Sequence, residues 1–411
     1  MRVFYTIGIW FYVLGVRIAA LFGHEKARLM VHGWHYKPST PHPAPYTSTA
    51  WFHASSLGEF EQARPVLERY KALHPDCRVL LTFFSPSGYE VRKGYAGADA
   101  VVYLPPDLPH HVRRFLDIWQ PSVAFFVKYD FWYNYLGQLR RRGVPTYIFS
   151  AIFRPNQYFF KPWGGWYRRQ LRKCYTHIFV QNDESLQLLR NHRITQCSLA
   201  GDTRFDRVHQ IAVAAERNDV VETFLEGFDG SVIVGGSTWP PDEELLARFA
   251  KSAPRPVRLI LAPHVISEEH LRQIEALFPE SIRYSALKDS NATKAHQVLI
   301  IDNIGMLSQL YRYADVAYIG GGFGVGIHNI LEAVTFGKPV LFGPNYHKFK
   351  EARDIIALDG GWSVSTADEL MQRLAPLVAD RKRLEEPSQV CLKYMQQNLG
   401  STEKILSTIE N

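Results

Sequence analysis

The sequence predicts an α/β protein of two domains, each built on a parallel sheet, and three observations lead to this prediction. The chain has 411 residues, which is too many for one ordinary hydrophobic core. From about residue 48 onward, short apolar runs alternate with amphipathic segments, a pattern typical of parallel strands joined by helical crossovers. This alternation pauses in a polar stretch at 202–228 and then restarts. The domain boundary is therefore expected near 205–228.

The predicted strands are the short apolar runs of each half. Those of the first half lie at 49–54, 77–84, 100–105, 123–128, 145–151, 177–181 and 197–201. Those of the second half lie at 230–236, 257–263, 296–302, 315–321, 338–343 and 361–365. Helices are predicted between them, for example at 110–119 and 132–143, and over 380–410, where the last helix is a candidate to pack back on the first half. Two such halves are expected to face each other across a cleft, with ligands beyond the carboxyl ends of the strands.

The N-terminus carries an almost wholly apolar segment at residues 3–22, in which Arg17 is the only charge. Its length suits one membrane span, and Trp10 suits an interfacial position. A cleavable signal peptide fits less well because Arg17 divides the apolar core, and a buried amphipathic helix of the first domain is the alternative. We expect a membrane-associated N-terminus, either spanning the bilayer or lying on it. The basic flank at 24–37 predicts that the rest of the chain is cytoplasmic.

Composition narrows the class of partner. A hydrophobic fraction of 46% is ample for packed interiors and argues against disorder. The net charge of +7 indicates an anionic partner, and no nucleic-acid-binding module accompanies the dispersed basic residues. A membrane surface or a phosphorylated substrate is therefore favoured over nucleic acid. The four cysteines form no C-x-x-C pair, so neither a zinc site nor a disulfide framework is predicted and the thiols suit a reducing compartment.

A glycine-rich stretch at 320–326 follows a predicted strand, and a helix is expected to begin near Ile327 or His328. Backbone amides at such a helix start favour a phosphate; a flexible turn is the alternative. The spacing matches neither G-x-G-x-x-G nor G-x-x-x-x-G-K-[ST], which disfavours a plain nicotinamide enzyme or a P-loop nucleotidase. Asn329 and Glu332 are expected on one face of that helix. The Glu332 carboxylate is placed to accept hydrogen bonds from ribose hydroxyls; the alternative is an ordinary surface pair without a function.

In the first half, the stretch "HASSLGEFEQ" at 53–62 leads from a predicted strand into a predicted helix, and Gly58 is expected to permit a tight turn there. Glu59 is a candidate catalytic base or a favourable charge at a helix start. Lys128 and Asp130 follow another strand, and Arg204 lies at the predicted cleft edge. Lys128 and Arg204 form a basic pair that suits stabilisation of negative charge, with ordinary ion pairing as the alternative.

Several motifs together resemble one known family. They include "HASSLGEFEQ", "VYLPPDLP" at 102–109, "GDTRFD" at 201–206, "GSTW" at 236–239 and the long run at 313–344. In this order they resemble the 3-deoxy-D-manno-oct-2-ulosonic acid (Kdo) transferases, membrane-associated GT-B glycosyltransferases of Gram-negative lipopolysaccharide assembly. The resemblance covers nearly the whole chain. It implies a membrane anchor helix at 1–24, a Rossmann-like acceptor-binding domain at 25–210 and a Rossmann-like CMP-Kdo-binding domain at 211–411.

The resemblance also implies a reaction and its residues. Kdo would pass from CMP-Kdo to a lipid A precursor with inversion, Glu59 acting as general base while Lys128 and Arg204 assist the transition state. It assigns donor binding to Pro263, His264, Gly305, Met306, Leu307, Asn329, Ile330, Leu331 and Glu332. No D-x-D metal motif is evident in the loops of the expected site, so the sequence requires no catalytic divalent ion, and no cofactor is expected. The protein is expected on the cytoplasmic face of the inner membrane. The number of Kdo residues added, the acyl-chain preference and the oligomeric state stay open.

Four positions depart from the family pattern. The family commonly has Glu at Lys128, Lys at Arg204, Arg at His264 and His at Trp239. These departures bear on substrate contacts more than on the reaction. Two other functions remain as alternatives. One is another GT-B enzyme, such as a sugar-nucleotide epimerase or a transferase with a different donor, and the other is a non-catalytic, membrane-bound lipid-binding protein.

Overall fold

The computed structural model describes residues 1–34, 47–288 and 296–410, so the end of the basic flank, residues 35–37, lies outside the described residues. The chain divides into two units. Unit 1 comprises Met1–Arg207 and Leu399–Asn411, and unit 2 comprises Val208–Asn398. Within the described residues, each unit holds a sheet of seven strands whose pairings are all parallel. The predicted α/β class with parallel sheets is confirmed.

The sheet of unit 1 has the strand order β3-β2-β1-β4-β5-β6-β7. Its strands are β1 Ser48–Ala54, β2 Cys77–Phe83, β3 Ala100–Tyr103, β4 Val123–Val127, β5 Thr146–Ala151, β6 His177–Val180 and β7 Cys197–Leu199. The helices of this unit are α1 Arg2–Leu21, α2 Glu25–Trp34, α3 Leu57–Leu73, α4 Pro86–Arg92, α5 Pro109–Trp119, α6 Tyr133–Arg141, α7 Gly165–Cys174 and α8 Asp183–Asn191. Helix α9, Thr203–Val213, runs from unit 1 into unit 2.

Alternate residues of the unit 1 strands enter two separate cores. Trp51 and Phe126 pack with α5, α6, α7 and α8 on one face of the sheet. Phe52 and Phe125 pack on the other face with α3 and with the last helix of the chain, Ser401–Glu410. Strands buried on both faces need apolar residues at successive positions. This requirement explains why these strands appear in the sequence as continuous apolar runs.

Helix α1 packs against the rest of unit 1 along one face and is exposed along the other. Tyr5 Oη donates to Asp107 Oδ2 at 2.6 Å, Arg2 Nε donates to Asn134 Oδ1 at 2.9 Å, and Val13 is buried. Most of its remaining apolar side chains lie open. It is long and apolar enough to cross a membrane, and only 6% of its most apolar stretch is buried. The alternative of a buried core helix is therefore wrong.

The sheet of unit 2 has the order β10-β11-β9-β8-β12-β13-β14. Its strands are β8 Ser231–Thr238, β9 Val257–Pro263, β10 Ser281–Arg283, β11 Val298–Ile300, β12 Val316–Ile319, β13 Val340–Phe342 and β14 Gly361–Ser363. Its helices are α10 Asp219–Leu225, α11 Pro240–Ser252, α12 Glu268–Leu277, α13 Tyr284–Lys288, α14 Leu307–Leu310, α15 Leu331–Val334, α16 Lys350–Ala357, α17 Ala367–Ala379 and α18 Glu385–Asn398. The last helix of the chain, α19 Ser401–Glu410, belongs to unit 1.

Local structure differs from the predictions at four places. Strand β10 was not predicted, because it is three residues long and at the sheet edge. The polar stretch at 202–228 holds helices α9 and α10. The helix expected near Ile327 begins only at Leu331 and has four residues, since residues 322–330 form turns and irregular chain. Gly58 lies inside the first turn of α3 rather than in a tight turn before it.

The four cysteines agree with the expectation of unpaired thiols. Each is free and buried in the structure: Cys77, Cys174, Cys197 and Cys391. Burial raises the pKa of the Cys391 thiol to about 12, so this group stays protonated and packs as a small apolar side chain. The cysteines therefore contribute to the interior rather than to a reactive site.

Candidate functional site

In each sheet, two neighbouring strands near the middle have connections that lead away from each other to opposite sides of the sheet. Ligands of open α/β sheets bind beyond the carboxyl ends of the strands at such points. In unit 1 this point lies between β1 and β4, and in unit 2 it lies between β8 and β12. We refer to these as switch point 1, formed by Ser55–Glu59 after β1 and Lys128–Trp132 after β4, and switch point 2, formed by Trp239 after β8 and Gly320–Glu332 after β12.

Glu59 lies in the first turn of α3, directly after switch-point strand β1. Ser56 is the N-cap of that helix, and its hydroxyl accepts from the Glu59 backbone amide at 3.5 Å. The same hydroxyl donates to Glu59 Oε2. A Ser-x-x-Glu sequence commonly caps a helix start, so the cap holds the Glu59 carboxylate over the end of the strand. A half-buried carboxylate in this position can accept a proton from a bound hydroxyl.

Glu61 is held by cations instead. Arg92 donates from Nη2 to Glu61 Oε1 at 2.9 Å, and Arg207 Nε lies 3.5 Å from Glu61 Oε2. These two guanidinium groups occupy both oxygens of the carboxylate. The two acids of the "GEFE" stretch therefore have different surroundings. A hydroxyl binds the Glu59 carboxylate, and two guanidinium groups bind the Glu61 carboxylate.

Behind Glu59 lies a buried polar network centred on His53 of β1. Trp132 Nε1 donates to His53 Nε2 at 3.0 Å, so Nε2 is the acceptor and Nδ1 carries the proton toward Thr82 Oγ1 at 2.8 Å. Trp51 Nε1 also donates to Thr82 Oγ1 at 2.8 Å. Complete burial lowers the pKa of His53 to about 3. The imidazole is therefore neutral and fixes the ends of β1 and β2 relative to Trp132.

Asp130 connects this network to the turn that carries Glu59. Ser55 Oγ donates to Asp130 Oδ1, and Asp130 Oδ2 lies 3.8 Å from His53 Nε2. Since His53 is neutral, that approach is not an ion pair. Burial raises the pKa of Asp130 to about 8, the Ser55 hydrogen bond opposes this rise, and the negative charge of Glu59 adds to it. Asp130 is consequently a mostly protonated acid at neutral pH that holds the Ser55–Ser56 turn.

Arg204 lies in the first turn of α9, where Asp202 holds it. Arg204 Nε donates to Asp202 Oδ2 at 2.9 Å, and Gln62 Nε2 of α3 donates to Asp202 Oδ1 at 3.1 Å. Burial would raise the pKa of Asp202, but the Arg204 charge and hydrogen bonds outweigh burial, and the pKa is lowered. Because Gln62 follows Glu59 by three residues on α3, Arg204 lies beside the helix face that carries Glu59.

Lys128 occupies switch point 1 in an unusual backbone conformation. Its φ is 61°, in the left-handed region that costs energy for a residue with a Cβ. Its backbone amide donates to the Phe149 carbonyl at 2.9 Å, and its ammonium lies 5.8 Å from the centre of the Tyr129 ring. In the described part of the chain, no hydrogen bond or ion pair joins Lys128 to Glu59. Hydrogen bonds link Asp130 to the Ser55–Ser56 turn that holds Glu59, and Asp202 links Arg204 to the helix of Glu59, whereas the Lys128 ammonium lies near the Tyr129 ring.

Switch point 2 is built from glycines that allow close approach of backbone segments. A Cβ at Gly320 would overlap the Ser237 carbonyl, and one at Gly322 would overlap the backbone of Gly343. The ends of β8, β12 and β13 therefore meet without intervening side chains. Asp242 of α11 joins them further, since its Oδ2 accepts from the amides of Trp239 at 3.0 Å and Gly321 at 3.0 Å.

The predicted donor-binding residues lie around this point on three loops. Pro263 ends β9 opposite Thr238, and the His264 amide donates to the Thr238 carbonyl at 3.0 Å. The His264 ring stacks between Trp239 and His328, at centroid distances of 4.8 and 4.4 Å. His264 is thus placed at the end of β8 and within reach of a ligand there.

The turn before α14 packs on the same strand end. Gly305 has a φ of 101°, which favours glycine, and Met306 is the N-cap of α14. A Cβ at Gly236 of β8 would lie only 2.8 Å from Leu307 Cδ1, so Leu307 covers the end of β8. The candidate residues on this turn and those on the loop after β9 therefore surround one strand end.

The loop after β12 supplies the remaining candidates. Asn329 Nδ2 donates to Glu332 Oε1 at 3.2 Å, and Asn329 Oδ1 accepts from the Leu331 amide at 3.2 Å. The side chains of Ile330 and Leu331 are completely buried. Any ligand contact of those two residues would therefore involve the backbone, whereas Asn329 and Glu332 offer polar side chains.

Several residues of the site were missed at the sequence level. They are His53, Gln62, Trp132, Asp202 and His328. His53 lies within an otherwise apolar run and Asp202 within "GDTRFD", so both positions carried a signal. Their partners lie as many as 140 residues away along the chain, and local patterns do not reveal such pairings. Among the described residues, no group of three or more His, Cys, Asp or Glu side chains is arranged to hold a metal ion.

Comparison with known proteins identifies similar sequences over most of the chain. Residues 26–207 match the family model described as 3-deoxy-D-manno-octulosonic-acid transferase. A 3-deoxy-D-manno-octulosonic acid transferase of Bordetella pertussis is 28% identical over 386 residues, covering 90% of this chain and 88% of the relative. One from Aquifex aeolicus is 26% identical over 342 residues, covering 82% of this chain and 87% of the relative.

Solved structures resemble the fold of most of the chain. A UDP-GlcNAc 2-epimerase from Neisseria meningitidis with bound UDP-GlcNAc aligns with a TM-score of 0.61 at 15% identity, over 88% of this chain and all of the other. The MurG protein of Acinetobacter baumannii aligns with a TM-score of 0.56 at 13% identity, over 88% of this chain and 99% of the other. At these identities the likeness concerns the fold alone. The predicted GT-B class, with two Rossmann-like units, is confirmed.

Proposed function

We propose that the chain is a Kdo transferase, a glycosyltransferase of lipopolysaccharide synthesis, and that it transfers Kdo from CMP-Kdo to a lipid A precursor with inversion; the family match of residues 26–207 and the similar Kdo transferases support this proposal. The observation that carries the proposal is the placement of a capped, half-buried Glu59 at switch point 1 in a chain whose unit 2 has a second, glycine-rich switch point. The first suits proton removal from an acceptor, and the second suits a nucleotide.

In the proposed reaction, the Glu59 carboxylate takes the proton of a primary hydroxyl on the acceptor. That oxygen forms a bond to the anomeric carbon of Kdo from the face opposite the leaving group. The bond between the anomeric carbon and the phosphate oxygen breaks, and CMP leaves with the electron pair. Ser56 holds the carboxylate, and a neutral Asp130 holds the Ser55–Ser56 turn without adding a second negative charge beside the base.

Arg204 supplies positive charge near this base in the proposal. Its guanidinium is anchored by Asp202 and keeps a partly exposed position, with 30% of its side chain accessible. A fixed cation of this kind stabilises negative charge that develops on the substrate or leaving group. Lys128 is proposed to assist in the same way, although its side chain in the structure lies over Tyr129.

Unit 2 is proposed to bind the CMP part of the donor. Glycine-lined strand ends leave room for phosphate and ribose, and Asn329 and Glu332 offer hydrogen-bonding groups for hydroxyls. Pro263, His264 and the Gly305–Leu307 turn border the same strand end. No metal ion takes part in the proposed reaction.

We propose that α1 lies along the cytoplasmic face of the inner membrane while it stays packed against the rest of unit 1. Its exposed face carries Phe4 and Phe11, which are 74% and 64% accessible. Its other face is bound to unit 1 through Arg2 and Tyr5. An amphipathic arrangement of this kind inserts its apolar side into the interface, and the net charge of +7 suits anionic lipids.

The product identifies the reaction. We expect the purified full-length protein, incubated with CMP-Kdo and a tetra-acylated lipid A precursor, to yield a glycolipid heavier by one or more Kdo residues in mass spectrometry. Release of CMP without a heavier lipid would contradict the proposal that a lipid A precursor is the acceptor. Epimerisation of UDP-GlcNAc without any use of CMP-Kdo would instead favour the activity of the solved fold relative.

The membrane proposal is tested by replacing both Phe4 and Phe11 with Ser. Burying one such side chain is worth about 1.5–3 kcal/mol at most, so binding to vesicles that contain anionic phospholipid should fall roughly tenfold or more. Co-sedimentation measures it. The matched control is Val213→Ser, which removes an apolar side chain that is 74% accessible in α9. Equal losses of vesicle binding in both variants would contradict the proposal that α1 binds the membrane.

A further inference from the structure

Three rings at switch point 2 form a continuous stack. The Trp239 and His264 rings are 4.8 Å apart with planes at 26°, and the His264 and His328 rings are 4.4 Å apart with planes at 29°. Each ring follows a different strand, namely β8, β9 and β12. The stack is open to solvent, since Trp239 is 38% accessible and His264 is exposed.

The hydrogen bonding of the stack fixes one tautomer. Trp239 Nε1 can only donate, and it does so toward His328 Nε2 at 3.4 Å. His328 Nε2 is therefore an acceptor, and the neutral ring carries its proton on Nδ1. Protonation of His328 would break this contact, whereas the exposed His264 has no such restriction from Trp239.

Two imidazoles in contact resist a double charge. Two unit charges about 4 Å apart near a protein surface repel by roughly 4 kcal/mol at an effective dielectric constant of about 20. Burial lowers the pKa of His328, and the neighbouring His264 lowers it further. The two rings therefore resist carrying a charge together, and an anion placed beside them would favour a proton on the pair.

The acids on the adjoining elements are bound to other groups. Asp242 of α11 accepts from the Tyr318 hydroxyl at 2.9 Å and from two backbone amides. Glu243 of α11 contacts Thr238 and His270, at 2.8 and 2.9 Å. Glu332 of α15 contacts Asn329. The hydrogen bonds given for these three carboxylates go to groups other than the His264 and His328 rings, and a bound anionic ligand would bring further negative charge to a protonated histidine pair.

We propose that the His264–His328 pair is a proton-coupled phosphate contact, which takes up a proton when the phosphate of a cytidine nucleotide binds at switch point 2. The identity of the nucleotide rests on the proposed function. Nucleotide affinity then falls as pH rises above neutrality, because an increasing fraction of the binding energy is spent on protonating the pair. An arginine at position 264 would bind the same phosphate without this dependence, since its charge is permanent.

The test measures binding of CMP to the full-length protein in detergent by isothermal titration calorimetry. Measurements at pH 7.5, 8.0 and 8.5 keep the CMP phosphate fully ionised, because phosphate monoesters have a second pKa of about 6. Repeating them in two buffers of different ionisation enthalpy yields the number of protons taken up. We expect an uptake between zero and one proton, and a dissociation constant that rises by up to about tenfold per pH unit.

The matched variant is His264→Arg, and His264→Gln is the second. The ring of His264 is exposed, so both variants should keep the fold, which circular dichroism and thermal unfolding check. We expect His264→Arg to bind CMP without proton uptake and with little dependence on pH, and His264→Gln to bind more weakly without uptake. CMP binding by the unchanged protein with no uptake, or equal uptake in His264→Arg, overturns the histidine contact and leaves the proposed function standing. Absence of any CMP binding overturns both.

Discussion

The two switch points share one topology but are filled in opposite ways. At switch point 1 the strand ends are covered by large, hydrogen-bonded side chains, with His53, Trp132 and Asp130 buried or half-buried behind Glu59. At switch point 2 the strand ends carry glycines, and the backbones of Gly320 and Gly322 touch neighbouring segments directly. The same edge of the same kind of sheet thus presents a held carboxylate in one unit, and closely packed glycine backbone beside a stack of rings in the other.

This difference matches what each site would do in the proposed reaction. A general base acts only when its carboxylate is held in one position, and the hydrogen bonds of His53, Trp132 and Asp130 contribute to that rigidity. A nucleotide site instead needs room and backbone amides near the phosphate. The difference therefore supports the proposal of proton transfer in unit 1 and nucleotide binding in unit 2, and the following changes test it.

The largest effect is expected from Glu59→Gln. Loss of the base should lower kcat by about 10²- to 10⁴-fold, while CMP affinity should stay unchanged because unit 2 is untouched. Steady-state rates and calorimetry measure the two quantities. The control is Glu61→Gln, which removes a carboxylate bound by Arg92 and Arg207 and should leave kcat within a few-fold. Comparable losses of rate in the two variants would contradict the role of Glu59.

The next effect is expected from Gly320→Ala in unit 2. The added methyl group would overlap the Ser237 carbonyl, and overpacking of this kind typically costs about 1–3 kcal/mol. Gly324→Ala is the control, since its Cβ would meet nothing closer than the Gly321 carbonyl at 3.6 Å. In denaturant unfolding, the free energy of unfolding should fall in Gly320→Ala and change little in Gly324→Ala. If both unfold like the unchanged protein, the close backbone approach at switch point 2 is not required.

A third effect is the pH dependence of stability at Asp130. Burial raises its pKa from 3.8 to about 8, so between these values the folded state keeps a proton that the unfolded state has lost. Stability from this group is present below the unfolded pKa and is lost as pH rises through the folded pKa, by up to about 1.4 kcal/mol per pH unit. Asp130→Asn cannot titrate. The unfolding free energy of the variant minus that of the unchanged protein should therefore increase steadily from pH 5 to pH 8.

Urea unfolding followed by tryptophan fluorescence at four pH values measures this difference. Asp117→Asn provides a control, because this carboxylate is 66% exposed and pairs with Arg142 at the surface. Its difference from the unchanged protein should be nearly flat over the same range. A flat difference for Asp130→Asn would mean that the buried acid titrates normally and that switch point 1 carries a second negative charge beside Glu59.

Much of the fold could be predicted from the sequence because buried parallel strands are continuous apolar runs. The strands around His53 and Val127 were predicted nearly to the residue, whereas β10 was too short to recognise. The helix expected at Ile327 was wrong for a related reason. Glycines and small residues permit a helix start, but contacts of Gly320 and Gly322 with other segments hold the chain in an irregular path until Leu331.

The sequence by itself determined the α/β class, the apolar N-terminal helix and the presence of Glu59 behind a strand, because each depends on residues close together along the chain. Only the tertiary structure decided how these groups behave. It showed that Asp130 reaches Ser55 across 75 residues, that Asp202 joins Gln62 to Arg204, and that three rings from three loops stack at His264. Charge state depends on burial and on partners distant in sequence, and these exist only once the strands have assembled.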